Sequence, residues 1–198
     1  MSLIELFIIV FIISASGVFS PGPLTFATLA IGSKNNWKGG VLISIGHLIV
    51  EFPLALAIAF GITLITSSIS NLLSIFGGIF MIIFGFLIIK SAKNYEIKSF
   101  SHSPLILGIS LSILNPYFIL WWMTIGISLI NLAMSIAGLF GVIFMYISHI
   151  WIDFLWLIIL AILGYQGRRL GKYYPYFVII LGIILIIFGI NFIIKVFI

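Results

Sequence analysis

The sequence predicts an all-α membrane protein: six transmembrane helices in two three-helix repeats of inverted topology, each repeat opening on a broken helix. Composition is the first reason. The 198 residues are 63% hydrophobic and 7% charged, with a mean hydropathy of +1.40, which leaves too little polar surface to dress a soluble globule. An internal echo is the second. Gly46-His47-Leu48-Ile49-Val50-Glu51-Phe52 is answered by Ser148-His149-Ile150-Trp151-Ile152-Asp153-Phe154, and the run Gly78 to Gly85 by the run Gly182 to Gly189. Both matches fall about 102 to 104 residues apart, so one half reads as a copy of the other. Residues 1–198 form a single transmembrane domain, with repeat one at about 1–98 and repeat two at about 99–198.

A hydrocarbon core of ~30 Å takes about 20 apolar residues per helix, and spans are expected at roughly 3–32, 40–65, 70–91, 104–130, 133–164 and 175–197. Span 1 opens on an apolar run with no preceding Lys or Arg and with Glu5 inside it, the wrong charge for a signal-peptide n-region, so it is expected to be retained. Its ~30 residues would measure ~45 Å as one helix, longer than the bilayer core, and it holds Ser20-Pro21-Gly22-Pro23. Proline lacks an amide proton and collides with the carbonyl four residues back, so the carbonyls of Gly17 and Phe19 should be freed, while Gly22 can take angles a helix does not use. Span 4, the first of the second half, is broken in the same way by Asn115-Pro116-Tyr117, with the Ser112 carbonyl expected free. A plain kink explains one such proline. Two prolines around a glycine, matched by Asn-Pro in the other half, favour half-helix ends facing a binding site at mid-membrane.

Spans 2 and 5 carry ionisable groups, which are costly in lipid and mark pathways when present. His47 and Glu51 lie four apart and share a helical face with Gly40, Ser44 and Ala55; His149 and Asp153 share theirs with Tyr146 and Trp156. Pro53 adds a break that should free the carbonyl of Ile49 as a further ligand. Glu51 and Asp153 both fall ~16 Å from the cytoplasmic ends of their helices. A hydrogen-bonded tether between helices is the structural alternative; the duplication favours a transport site, with histidine able to exchange protons near neutral pH. In spans 3 and 6 the paired glycines Gly78/Gly85 and Gly182/Gly189 read as packing positions.

Three spans per repeat is an odd number, so the second copy enters from the opposite face. Basic residues agree. Lys34, Lys38, Lys90, Lys93, Lys98, Arg168, Arg169 and Lys172 fall on one side, against Lys195 alone on the other; this predicts N- and C-termini outside a cytoplasmic membrane. The same distribution makes the pI near 9.6 an orientation signal and excludes a nucleic-acid footprint. Trp37, Tyr173, Tyr174 and Tyr176 are expected as interfacial anchors, as are Trp121 and Trp122 at the outer boundary, while His102 is expected to be solvated. With no cysteine there is no disulfide, thiol centre or Cys-ligated metal. No nucleotide loop, zinc helix or nucleophile elbow occurs, so neither ATP-driven pumping nor a cofactor is expected.

The chain resembles the LysE/RhtB amino-acid exporter family over its whole length. Ser20-Pro21-Gly22-Pro23, the Gly-spaced span 2 with its acidic residue, Asn115-Pro116, and the glycine-rich span 3 ending in Lys90 carry the resemblance. It implies six helices and export of amino acids driven by the membrane potential or a proton gradient. Two departures stand out: Gly46 is followed by His47 where the family often has Asp, and Tyr117 follows Asn-Pro where the family often has Lys.

The expected function is therefore secondary active export of an amino acid or related amine, with no enzymatic activity. Glu51 and Asp153 are the cation or proton sites, His47 and His149 relay protons or orient them, and Ser20, Pro21, Gly22, Pro23, Asn115 and Pro116 shape the cavity. With two carboxylates and no Lys or Arg inside the spans, a substrate bearing an ammonium group is favoured over an anion. Half-helix N-termini can hold its carboxylate. The alternative is a divalent metal cation transporter, since His-x-x-x-Glu and His-x-x-x-Asp put N and O ligands on one face. A metal-dependent intramembrane enzyme is a distant third. The partners are the small-molecule substrate, a coupling proton or cation and the bilayer; a homo-oligomer is compatible with the pattern.

Overall fold

The computed structural model describes residues 2–61, 67–92 and 103–197, without the side chains of residues 33–34, 67–70 and 91. Lys93, Lys98 and His102, and the side chain of Lys34, lie outside that description. Every element among the described residues is helical: α1 (Leu3–Val18), α2 (Pro23–Ala59), α3 (Ser67–Ala92), α4 (Pro104–Ile113), α5 (Pro116–Trp121), α6 (Ile127–Gln166) and α7 (Tyr174–Ile194). A π-turn, Trp122–Gly126, joins α5 to α6, and a 3-10 turn, Gly167–Tyr173, joins α6 to α7.

Glu5 has a local task. It closes a capping box on α1, its carboxylate accepting from the Ser2 amide at 2.8 Å while the Ser2 hydroxyl accepts from the Glu5 amide. The Pro-Gly-Pro segment then turns the chain, and α1 meets the first part of α2 (Pro23–Gly32) at 74°. Proline sits at the first turn of α2, α4, α5 and α7, where its missing N–H costs nothing.

Three stretches among the described residues are long and apolar enough to cross a membrane: Asn35–Ala59, Asn71–Lys90 and Pro116–Ile194; the bent pair Leu3–Val18 and Pro23–Gly32 makes a fourth if taken as one crossing. The 79 residues of the third would measure ~120 Å as a straight rod, so it must fold back within a ~30 Å layer. It does so at Ala137–Gly138, where Gly138 takes φ 57° and ψ −143°, and again at Gly171 with φ 54°. The first hairpin is tight, since a Cβ on Gly141 would collide with the carbonyl of Ala133. The turn falls a few residues beyond the gap expected between spans 4 and 5, at Gly138, which takes that backbone without a Cβ clash. Asn36, at φ 51°, makes the corresponding corner inside α2.

Small residues set the helix pairings. The glycines of α3 and α7 face one another reciprocally: a Cβ on Gly78 would stand 2.6 Å from the Gly189 carbonyl, and one on Gly189 would stand 2.5 Å from that of Gly78. Gly85 and Gly182 repeat the arrangement at 2.6 and 2.8 Å. Since 78 meets 189 while 85 meets 182, the two helices run antiparallel. In the same way Gly32 packs on Ala161 and Gly164 on Leu29, locking α2 antiparallel to α6, and Gly46 packs against Gly108 of α4. Asn36 consequently shares a crevice with Arg168 and Arg169.

Two apolar cores result. One joins α3 and α7 to α4 and the first part of α2, around Phe84, Leu107 and Leu185; the other joins α1, the end of α2 and the start of α6, around Leu6, Leu129 and Met145. Outward positions such as Ile4, Phe76, Phe86 and Ile187 are large, apolar and exposed, the surface a bilayer covers. Trp37, Tyr173 and Tyr176 are exposed as anchors should be, but Tyr174 is buried in the first core. Trp122 departs further, being 1% exposed.

Candidate functional site between the broken helices

Because α2 and α6 run antiparallel, their two His–carboxylate faces meet head to tail. All four groups are buried, Glu51 to 1% exposure and Asp153 to 7%. His149 Nε2 lies 3.2 Å from Glu51 Oε1 across the interface and 3.2 Å from Asp153 Oδ2 on its own helix. His47 Nε2 lies 3.2 Å from the same Glu51 Oε1. His47, Glu51 and Asp153 each bring a ligand atom within 4.8 Å of the others.

Glu51 is the best-served group. Trp122 donates its indole N–H to Oε1 at 3.1 Å, and Tyr146 donates its hydroxyl to Oε2 at 3.2 Å. A carboxylate taken out of water needs such donors, since its desolvation otherwise costs several kcal/mol, ~3–5 if a partner is lost. Asp153 is served differently: its Oδ2 is buried without a hydrogen bond, the His149 contact being close but unaligned.

Ser112 of α4 fixes the tautomer of His47. Its hydroxyl donates its one proton to the Gly108 carbonyl at 2.6 Å, so it accepts from His47 Nδ1 at 2.7 Å. Nε2 is left facing Glu51 Oε1, and a lone pair cannot rest against a carboxylate. A positive charge must lie between them: a proton on the ring, a proton on the acid, or a cation.

These groups form the floor of one cavity of about 670 Å³. Its wall includes Ser20, Pro21, Gly22 and Pro23 from the first break and Asn115 from the second, together with His47, Glu51, His149 and Asp153. Pro116 stands behind the wall, buried at the first position of α5. Asn115 caps that helix, its side-chain oxygen accepting from the Tyr117 amide at 3.1 Å. Two further cavity residues present buried polar atoms without a partner, Trp121 at Nε1 and Trp156 at Nε1, and His149 does so at Nδ1. At the opposite end of α7 from the basic turns, Lys195 donates to the Tyr117 hydroxyl at 2.6 Å, with its ammonium over the Tyr117 ring.

The family model for the LysE type translocator matches residues 15–196, from just ahead of the first break to the end of the last helix. The chain belongs to that family. It is a membrane transporter at the family level, not an enzyme. No curated protein and no solved structure matches it significantly.

Several expectations are corrected in this translocator. The carbonyls of Gly17 and Ser112 are not left free: Ser20 N–H takes the first at 3.1 Å and Asn115 N–H the second at 3.3 Å, because each chain tightens by one residue as it leaves its helix. Gly22 is extended, at φ −145° and ψ 179°, a conformation open to any residue. Pro53 stays inside α2 on an exposed face with Ile49, away from the cavity, so neither contributes a ligand. Trp122 is a buried partner of Glu51 and Trp121 a cavity wall, where interfacial anchors were expected; both follow closely on the second break, and Trp122 opens the π-turn. Ser112 carries no motif, and only its spacing of one turn ahead of Pro116 hints at a role.

Proposed function

We propose that this translocator is a secondary active transporter exporting an amino acid or related amine across the cytoplasmic membrane, coupled to protons or another cation. One observation carries the reading: the two proline-broken segments and both His–carboxylate pairs line a single cavity. Within it, Glu51 with His47 is the site of the exchangeable cation, and Asp153 meets the substrate ammonium. The first turn of α2, at Pro23 and Leu24, also lines the cavity.

Six crossings in two inverted halves fit the breaks at Asn36, Ala137–Gly138 and Gly171 and the reciprocal glycine contacts of the antiparallel α3 and α7. Termini on the outside are supported by the basic residues of the turn near Asn36, where Arg168 and Arg169 lie. Uptake of radiolabelled amino acids into inverted vesicles tests the proposal. Transport by Glu51→Gln or Asp153→Asn protein equal to that of the wild type would refute the carboxylate roles.

A second reading, transport of a divalent metal cation, is favoured by the convergence of His47 Nε2, Glu51 and Asp153 within 4.8 Å and by the Ser112 contact that turns Nε2 toward the carboxylate. Elemental analysis of purified protein separates the two: stoichiometric metal, lost in a His47→Ala/His149→Ala variant, selects the metal.

A further inference from the structure

The cavity's unsatisfied atoms describe its occupant. We infer that the substrate is a zwitterionic amino acid with one ammonium group and an apolar side chain, its carboxylate held by the indole N–H groups of Trp121 and Trp156 and its ammonium by Asp153. The inference rests on the transport reading and specifies the ligand of that same cavity.

An indole nitrogen only donates, so a buried indole N–H without a partner calls for an acceptor. Trp121 comes from α5, just beyond the second break, and Trp156 from α6, one turn past Asp153; neither nitrogen has a protein partner. Both rings are braced by neighbours. Trp121 stacks on His149 with centroids 5.5 Å apart, and its Nε1 is so close to Gly17 that a Cβ there would stand 2.9 Å away. Trp156 packs edge-on against Phe19 at 4.9 Å. Two indole donors without a protein acceptor suit a carboxylate, which offers two acceptor oxygens.

The count of acceptors limits the positive charge. Glu51 is already met by Trp122, Tyr146 and both imidazoles, leaving Asp153 Oδ2 as the buried carboxylate oxygen of this wall with no hydrogen bond. A substrate with one ammonium completes it. Lysine or arginine would bring a second cation for which the described cavity wall has no free carboxylate, and burying it unpaired is costly. Phe118, Phe188, Leu111 and Leu157 supply an apolar wall for the side chain.

The test measures binding to the full-length protein in detergent, by calorimetry, for L-leucine, L-lysine, isoamylamine and 4-methylpentanoate, alongside leucine transport in vesicles. Wild-type protein should bind leucine at least tenfold more tightly than lysine, or than either analogue lacking one charged group. The Trp121→Phe/Trp156→Phe protein keeps aromatic rings and loses both N–H donors. It should bind leucine about tenfold or more weakly while its affinity for isoamylamine is unchanged, since a hydrogen bond to a charged group accounts for a loss of that order. Leucine binding unaltered by the double substitution, with transport intact, overturns the inference and leaves the transporter reading standing. Lysine bound as tightly as leucine overturns the single-cation argument. Absence of binding and transport for every amino acid tried defeats both.

Discussion

His149 on α6 stands 3.2 Å from Glu51 on α2, the same separation it keeps from Asp153 on its own helix. One imidazole is thus shared between the carboxylates of the two halves. The two acids around it are nevertheless unequal, because Glu51 gathers donors from Trp122 and Tyr146 while Asp153 Oδ2 is left without a hydrogen bond.

That inequality separates stability from transport. Glu51→Gln puts an NH2 among groups that already donate, and should destabilise the fold by about 3 kcal/mol or more. Asp153→Asn removes the carboxylate 3.2 Å from His149 Nε2 but no aligned hydrogen bond to Oδ2, and should cost less stability than Glu51→Gln while abolishing transport. Thermal unfolding in detergent, paired with vesicle uptake, reads both.

Tyr146→Phe keeps the ring and deletes the hydroxyl that meets Glu51 Oε2. One carboxylate oxygen then lacks its buried partner, and a loss of about 1–3 kcal/mol is expected. A melting temperature equal to that of the wild type would show that this hydroxyl does not stabilise the carboxylate.

Gly85→Ala drives a methyl into the Gly182 carbonyl, 2.6 Å from its ideal position, and Gly182→Ala does the converse at 2.8 Å. Each should cost about 1–3 kcal/mol through separation of α3 from α7. The double variant should cost less than the sum, since the first substitution already opens the gap the second needs. Unfolding of the two single variants and the double variant measures the coupling.

Gly138→Ala isolates a backbone effect. No neighbour lies within 4 Å of the added methyl, yet φ of 57° with ψ of −143° is strained for an L side chain, by about 1–3 kcal/mol. Gly22→Ala, at an extended backbone, should leave stability unchanged. Melting temperatures of the two variants discriminate strain from cavity shape.

Topology can be read chemically, as the chain has no cysteine. Single substitutions Ser2→Cys and Val196→Cys should react with an impermeant maleimide from outside intact cells, and Lys38→Cys only after permeabilisation. The opposite labelling pattern would reverse the proposed orientation.

Much of the scaffold was legible because its signals are short-range or periodic. Pro21, Pro23 and Pro116 announce breaks through a missing amide, and the His–acid spacing of four announces a shared face whatever surrounds it. The glycine pairs were legible as packing positions for the same reason. The partners of Glu51 were not. Trp122 reaches Glu51 only once the chain has turned past the second break, and Ser112 reaches His47 only through the packing of α4 on α2; neither residue differs in sequence from an ordinary wall residue. Trp121 and Trp122 read as boundary anchors because aromatic residues near a span end usually are; what overrode that was the chain's turn inward. The freed carbonyls were overestimated at Gly17 and Ser112, where the backbone recaptured them three residues on.

The reciprocal glycines of α3 and α7 bear on how such a chain can change over generations. Each helix leaves its neighbour a space with no room for a single added methyl. A change tolerated in one helix must await an answering change in the other, so the two segments are held in step, free to diverge around their contact and bound to agree at it.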